Sequence, residues 1–199
     1  TLHKNKNRIM KRLLLIAFLM VQASLYAQKD CEFSSNFKDS IGTYKETKQK
    51  IIYEKVFAGS SSNIFFSLIN ADGTPVLNFQ NIQKSKDFIK ATCFDSTSKI
   101  YLQLENGKIM TMIISEEGNC GSTVLDQTTG ASVRITSANF LFMKNSIEEL
   151  KKSPISFVRI KYASEMVDYI MKREIVSELS NETSYPQNFF IDHLKCIEE

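Results

Sequence analysis

Alternation of apolar and polar residues is the dominant pattern after residue 30, and it predicts strands over most of the chain. The segment 76–82 alternates strictly, with Leu77 and Phe79 on one face. The segment 63–69 (NIFFSLI) is apolar enough to be a strand buried on both faces. Similar patterns predict further strands over residues 32–38, 49–57, 99–105, 108–115, 132–142, 155–162 and 166–171, with a glycine- and serine-rich loop at 59–62.

Two dipeptides mark β-hairpins. Asp72-Gly73 follows the segment 63–69, and Asn106-Gly107 separates KIYLQLE from KIMTMIIS. Asn-Gly suits a two-residue type I′ turn, which needs positive φ at both residues. Such a turn pairs residues whose numbers add up to 213, and it makes one face of the hairpin largely aliphatic. The predicted pairs are Ile100 with Ile113, Leu102 with Thr111 and Leu104 with Ile109, with Tyr101, Gln103, Met110 and Met112 on the opposite face.

Helical spacing is confined to the C-terminal part of the chain. Ser146-x-x-Glu149 has the form of a capping box and predicts a short helix that ends before Pro154. Apolar residues at 171, 175 and 179 predict a helix to about residue 180, and Ser184 or Pro186 can open a last one. That last helix would bury Phe190, Leu194 and Ile197. The expected fold class is α+β: β-rich, a mainly antiparallel meander forming an open sheet or a barrel, with two to three short helices toward the C-terminus.

Residues 10–27 have the organisation of a secretory signal peptide. Lys11 and Arg12 precede an apolar run at 13–20 (LLLIAFLM), and Ala27 supplies a small residue at a plausible cleavage point. A transmembrane anchor is less well supported, because the run has about half of the roughly 20 residues that a spanning helix needs. An acylated lipoprotein would need small and apolar residues before Cys31, where the chain has Gln-Lys-Asp.

The leader sets both the expected domain boundaries and the charge. We take residues 1–27 as upstream sequence plus signal peptide, and 28–199 as a single β-rich domain that is periplasmic or secreted, with no stable membrane anchor after cleavage. The whole chain has 25 basic and 22 acidic residues, but residues 1–27 hold five of the basic ones and no acid. The remainder therefore carries 20 basic and 22 acidic residues, and no nucleic-acid partner is expected, because that requires a clustered basic surface.

Four cysteines, Cys31, Cys93, Cys120 and Cys196, follow the leader, and an even number in an exported chain predicts two disulfides. The chain has no C-x-x-C, and the spacings do not suit a zinc site. Because 93 and 120 also add up to 213, the hairpin register favours Cys93 with Cys120, which leaves Cys31 with Cys196. A bulge at residues 95–98 could reset that register, and free buried cysteines are the alternative.

Motifs for catalysis are sparse. His193 is the one histidine after the leader, which excludes motifs such as H-E-x-x-H, and we expect it to be a surface or half-buried helix residue. There is no G-x-S-x-G elbow and no glycine-rich phosphate loop. Glu116 with Glu117, or Glu165 with Asp168, could serve a carboxylate-dependent hydrolase, and solvated side chains are the ordinary alternative. We expect no catalytic residue, no metal site and no cofactor.

Several short segments together resemble one group of proteins. They are Tyr26-Ala27-Gln28, Asp39-x-x-Gly42, Thr92-Cys93-Phe94-Asp95, Lys99-Ile100-Tyr101, Ile155-x-x-x-Arg159-Ile160 and Lys195-Cys196-Ile197. In these segments the chain is similar to small exported proteins of Bacteroidetes-type bacteria. The resemblance covers most of the chain after the leader. Because no activity is assigned to that group, the resemblance implies export and transfers no site residue.

Three hypotheses about function remain. The first is an exported binding module without catalysis, whose partner is an unknown protein or small ligand. The second is a β-barrel pouch for a small apolar ligand, which needs an enclosed cavity on the order of several hundred Å³. The third is a hydrolase with two carboxylates converging in one cleft. We expect that the protein is not an enzyme.

Overall fold

The structure, a computed structural model, describes residues 31–40 and 42–198. The predicted signal peptide at 10–27 and the residues before it lie outside this part of the chain. Thirteen strands are present in it: β1 Phe33–Lys38, β2 Thr43–Thr47, β3 Lys50–Phe57, β4 Ser60–Ala71, β5 Thr74–Ser85, β6 Lys99–Leu104, β7 Ile109–Ile114, β8 Ser122–Asp126, β9 Ala131–Phe142, β10 Ile155–Lys161, β11 Met166–Ile170, β12 Ile175–Val176 and β13 Thr183–Ser184.

Helices are few and short in the described residues. The α-helices are α1 (Ser146–Leu150) and α2 (Phe189–His193), and 3₁₀ turns at Pro186–Asn188 and Leu194–Ile197 flank α2. None of these helices is long or apolar enough to span a bilayer. The chain is therefore poorer in helix than the sequence pattern predicts.

Eleven of the strands form one open antiparallel sheet. Its order is β1-β2-β4-β5-β9-β7-β6-β10-β11, with β3 also paired to β4 and β8 also paired to β9. Three twelve-residue strands, β4, β5 and β9, make the centre of the sheet. The open alternative is therefore confirmed, and the closed barrel is wrong. The hypothesis of a pouch for a small apolar ligand required a closed barrel, and the open sheet does not meet that requirement.

The inner face of the sheet carries the hydrophobic core. Phe66, Phe79 and Phe140 lie on neighbouring central strands and are fully buried. Phe66 packs edge to face on Phe189, so the C-terminal turns cover this face. The predicted apolar stripe of Phe190, Leu194 and Ile197 is buried as expected, although it is divided between α2 and a 3₁₀ turn. Aromatic side chains fill the interior and gain contact energy beyond their buried area.

The Asn106-Gly107 hairpin exists, but its predicted register is wrong. Strand β6 pairs with β7 so that residue numbers add up to 212, with Ile100 opposite Met112. The amide of Gly107 donates to Leu104 O, and Gly107 has φ of 84°. These features describe a three-residue loop with a glycine bulge instead of a two-residue turn. Because side chains alternate, this one-residue slip turns Met112 into the core and Ile113 out of it.

Two helix predictions also need correction. Asn145, in the left-handed region, is the N-cap of α1 and makes no side-chain cap bond, so the Ser146-x-x-Glu149 capping box is not formed. The helix predicted through residues 171, 175 and 179 is absent. Its place is taken by the short ribbon of β12 and β13, where Met171 and Ile175 are buried and Leu179 is exposed. Local helical spacing was overridden here by tertiary packing.

Three strand assignments differ as well. The loop predicted at 59–62 is mostly the start of β4, and strands β2 and β8 were not predicted. Their sequences, TYKET and STVLD, carry too few apolar residues to give an alternating signal. Pairing with longer neighbours makes them strands.

The disulfides join Cys31 to Cys196 and Cys93 to Cys120, the pairing favoured from the sequence. Phe94 N donates to Asn119 O, so the residues beside the Cys93–Cys120 disulfide do pair as predicted, with numbers that add up to 213. The loop 95–98, closed by a bond from Ser98 N to Asp95 O, shifts the register by one residue relative to the hairpin. Two disulfides are typical of an oxidising compartment.

Candidate functional site

A groove runs across the outer face of the sheet, opposite the core, over strands β6, β7, β10 and β11. Its volume is about 450 Å³. The side chains that line it combine apolar, aromatic and charged groups: Tyr101, Gln103, Ile109, Phe157, Arg159 and Met166. We call it the outer groove.

Strand register explains how these side chains come together. Gln103 pairs with Ile109 on one side and with Phe157 on the other, and Phe157 pairs with Ile170. These four residues form one row across four strands. Directly paired residues of antiparallel strands share a face and are close enough for their side chains to touch. A parallel row places Tyr101 beside Arg159 and Arg159 beside Asp168.

An ion pair lies in the middle of this surface. Arg159 donates from Nε and Nη2 to the two carboxylate oxygens of Asp168, at 2.6 and 2.8 Å. The hydrogen bond from Arg159 lowers the pKa of Asp168 below its usual value. The guanidinium carbon also lies 5.6 Å from the ring centroid of Phe157, within cation–π range. The pair holds both charges in a fixed geometry, and because both side chains are exposed to solvent it contributes little to stability.

Apolar side chains are unusually exposed around the ion pair. Ile109, Met166 and Ile170 have exposed fractions of 61%, 58% and 77%. Singly exposed apolar residues are ordinary, but a cluster with a polar centre is typical of an interaction surface.

Strand β11 ends the sheet and leaves backbone groups available. Tyr162 N donates to Glu165 O and Met171 N donates to Ser156 O, and β10 and β11 pair in register between these bonds. Because hydrogen-bonded and non-bonded pairs alternate along an antiparallel ladder, Met166, Asp168 and Ile170 direct their backbone N–H and C=O away from β10. No strand among the described residues pairs with that edge.

Comparison with known proteins finds no relative. No protein-family model matches the chain, and no curated protein or solved structure matches it significantly. The function must therefore be argued from the residues themselves.

Three of the four acids considered for hydrolysis have other contacts. Glu116 accepts a hydrogen bond from Asn139 N at 2.8 Å, and Glu165 forms an ion pair with Lys90 at 2.9 Å. Asp168 is held by Arg159, and strand alternation directs residues 165 and 168 to opposite faces of the sheet. The structure therefore does not bring Glu165 and Asp168 together.

His193 lies in α2, where its Nδ1 is 2.8 Å from Phe189 O and its ring stacks on Phe189. The helix position matches the expectation. Within the described residues, no three His, Cys, Asp or Glu side chains are grouped so that they could hold a metal ion.

Sequence reasoning missed the outer groove because of the hairpin register. The predicted pairing put Ile109 and Ile113 in the core, whereas the structure places both on the outer face. One available signal was the alternation of ISFVRIKY, in which Phe157 shares a face with Arg159 and Lys161. An aromatic residue on an otherwise basic face is a reason to suspect a contact surface.

Proposed function

We propose that the protein is an exported binding module that captures an extended segment of a partner polypeptide along β11 and the outer groove. The observation that carries the proposal is the coincidence of an unpaired strand edge at Met166, Asp168 and Ile170 with exposed apolar side chains on two of these three residues. Met166 and Ile170 flank Asp168 on the groove side. Addition of a strand to such an edge is a common mode of peptide recognition.

The geometry specifies what the captured segment looks like. Alternate residues of a strand lie about 7 Å apart on one face, so the partner must present side chains to the groove at every second position. Opposite Met166 and Ile170 these side chains would be apolar, and opposite Asp168 a polar one would fit beside the Arg159–Asp168 pair. Backbone bonds would supply affinity, and the alternating pattern would supply specificity.

The disulfides support the exported part of the proposal. Cys31–Cys196 and Cys93–Cys120 suit an oxidising compartment such as the periplasm or the outside of the cell. The leader-like organisation of residues 10–27 points the same way.

The proposal can be tested by peptide selection. A displayed random peptide library is passed over the immobilised, oxidised protein, and the peptides that bind are identified. We expect enriched peptides with two apolar residues four positions apart and a polar residue midway between them. Their binding should protect the amides of Met166, Asp168 and Ile170 from hydrogen exchange, because these are the outward-directed amides of β11. N-methylation of a single peptide amide should abolish binding when that amide pairs with β11, which is the case at every second residue, and should have no such effect at the residues between.

A matched pair of variants supplies the control. Met166 in β11 and Val124 in β8 have the same exposed fraction, 58%. Met166→Asp should weaken peptide binding at least about tenfold, equivalent to 1.4 kcal/mol, whereas Val124→Asp should leave it unchanged. Failure to enrich any peptide, or peptides that bind Met166→Asp as well as the unaltered protein, would refute the proposal.

A further inference from the structure

A polar patch lies on the inner face of the sheet, away from the outer groove. Along β5 and β9 the inner-facing pairs change from apolar to polar. Phe79 pairs with Ala138 in the core, and the next two pairs along are Asn81 with Thr136 and Gln83 with Arg134. These last four side chains, with Tyr162, form what we call the inner polar patch.

Tyr162 belongs to the patch by contact. The Tyr162 hydroxyl lies beside Asn81 and Tyr169, and Tyr162 as a whole is only 1% exposed. Burial raises the pKa of this hydroxyl, so it stays protonated and remains a hydrogen-bond donor.

Several polar atoms of the patch are buried and lack partners. They are Gln83 Oε1, Arg134 Nε and Thr136 Oγ1. Thr136, like Tyr162, is 1% exposed. Buried polar groups almost always find a hydrogen-bond partner, so three unmatched atoms on adjacent residues require an explanation. Arg134 Nε and Thr136 Oγ1 can donate a hydrogen bond, and Gln83 Oε1 can only accept one.

The charge of the patch is positive. Arg134 uses its two terminal nitrogens on neutral groups, donating from Nη1 to Thr123 Oγ1 at 3.2 Å and from Nη2 to Cys120 O. No acidic side chain of the described residues forms an ion pair with it. The carboxylate of Glu165 acts on Tyr162 electrostatically, but it is paired with Lys90. A guanidinium without a carboxylate, beside a hydroxyl donor, is suited to an oxyanion.

We propose that the inner polar patch binds a small molecule that carries an oxyanion group, carboxylate or phosphate, next to a hydrogen-bond donor. Arg134 Nε and the hydroxyl of Thr136 donate to the oxyanion. Gln83 Oε1 accepts from the neighbouring hydroxyl or amine of the ligand. This site is independent of polypeptide capture at the outer groove, because it uses the opposite face of the sheet.

Titration of the oxidised, isotope-labelled protein with small probes, followed by NMR, tests the proposal. Glycolate carries a carboxylate and a hydroxyl, inorganic phosphate separates phosphate from carboxylate preference, and ethylene glycol lacks the charge. At least one of the two anions should shift the amide signals of residues 81–83 and 134–136 with a Kd on the order of 1 mM. Ethylene glycol should not shift them.

Variants separate a ligand site from a purely structural cluster. Arg134→Gln should weaken binding of the anion at least about tenfold, whereas Arg173→Gln, which removes the same charge at an exposed position, should not. Thr136→Val removes only the unpartnered hydroxyl, so it should weaken anion binding without lowering the melting temperature of the free protein. Absence of anion-dependent shifts in this patch, or equal affinities of the Arg134→Gln and Arg173→Gln variants, would overturn the proposal.

Discussion

The two disulfides should contribute unequally to stability, because they close loops of different length. Cys31–Cys196 joins residues 165 positions apart, and Cys93–Cys120 joins residues 27 positions apart. In the chain-entropy model, the long loop contributes about 5 kcal/mol and the short loop about 3.5 kcal/mol. The difference, about 1.6 kcal/mol, depends only on the ratio of the two loop lengths.

Packing should increase this difference. Cys31 precedes β1, and Cys196 lies in the C-terminal 3₁₀ turn beside the core residues Leu194 and Ile197. Asn70 on β4 also donates to Ile197 O at 2.6 Å. Without the long-range disulfide, the segment that covers the inner face is held only by such contacts, and it can separate from the sheet by local unfolding.

Urea unfolding of two double variants measures the effect. We expect Cys31→Ala with Cys196→Ala to lose more free energy of unfolding than Cys93→Ala with Cys120→Ala, by about 1.6 kcal/mol or more. Reduction of both disulfides in the unaltered protein should lower the free energy of unfolding by more than either double variant does. If the Cys93–Cys120 variant were the less stable one, local packing around residues 93–120 would outweigh loop closure, and the reasoning would be wrong.

Three further outcomes are expected. Phe79→Ala should lower the free energy of unfolding by about 3–5 kcal/mol, because the ring is fully buried; a loss under about 1 kcal/mol in urea unfolding would contradict the assigned core. Gly118→Ala should be more destabilising than Gly130→Ala, since its added Cβ would clash with the Phe94 backbone, whereas Gly130, with φ of 66° and nothing within 4 Å, adds only the roughly 1–2 kcal/mol of a left-handed backbone; equal melting temperatures would contradict this. The hydrogen bond from Lys84 lowers the pKa of Asp126, so this contact stabilises the fold above about pH 4 and is lost as pH falls toward the folded-state pKa. Lys84→Met should raise the Asp126 pKa in an NMR titration, and an unchanged value would refute the pairing.

Sequence alone determined the local elements with strong patterns. Alternation predicted β5 and β10, because side chains of a strand point to opposite faces and only one face of these strands enters the core. The even number of cysteines and their spacing indicated the disulfide pairing that the structure contains. The buried C-terminal stripe also followed from its spacing, since helical periodicity survives division of a helix into short turns.

The polar patch could also have been suspected from the sequence. The inner-facing residues of β5 run from Leu77 and Phe79 to Asn81 and Gln83. A strand face that becomes polar part-way along its length either leaves the core or enters a site. What sequence could not supply was the neighbour, because Arg134 joins Gln83 only through the pairing of strands that are 50 residues apart.

The outer groove was decided by tertiary structure. A single extra residue in the Asn106-Gly107 loop changed which face of β7 is buried, and it moved Ile109 from the expected core to the groove. The observed register buries Met112 opposite Ile100, where the predicted register would have buried Ile113. Tertiary structure also decided between an open sheet and a barrel, because edge pairing depends on strands distant in sequence. Local pattern therefore specified the strands with a strong alternation, and long-range packing specified β2, β8 and the surfaces through which we propose that the protein acts.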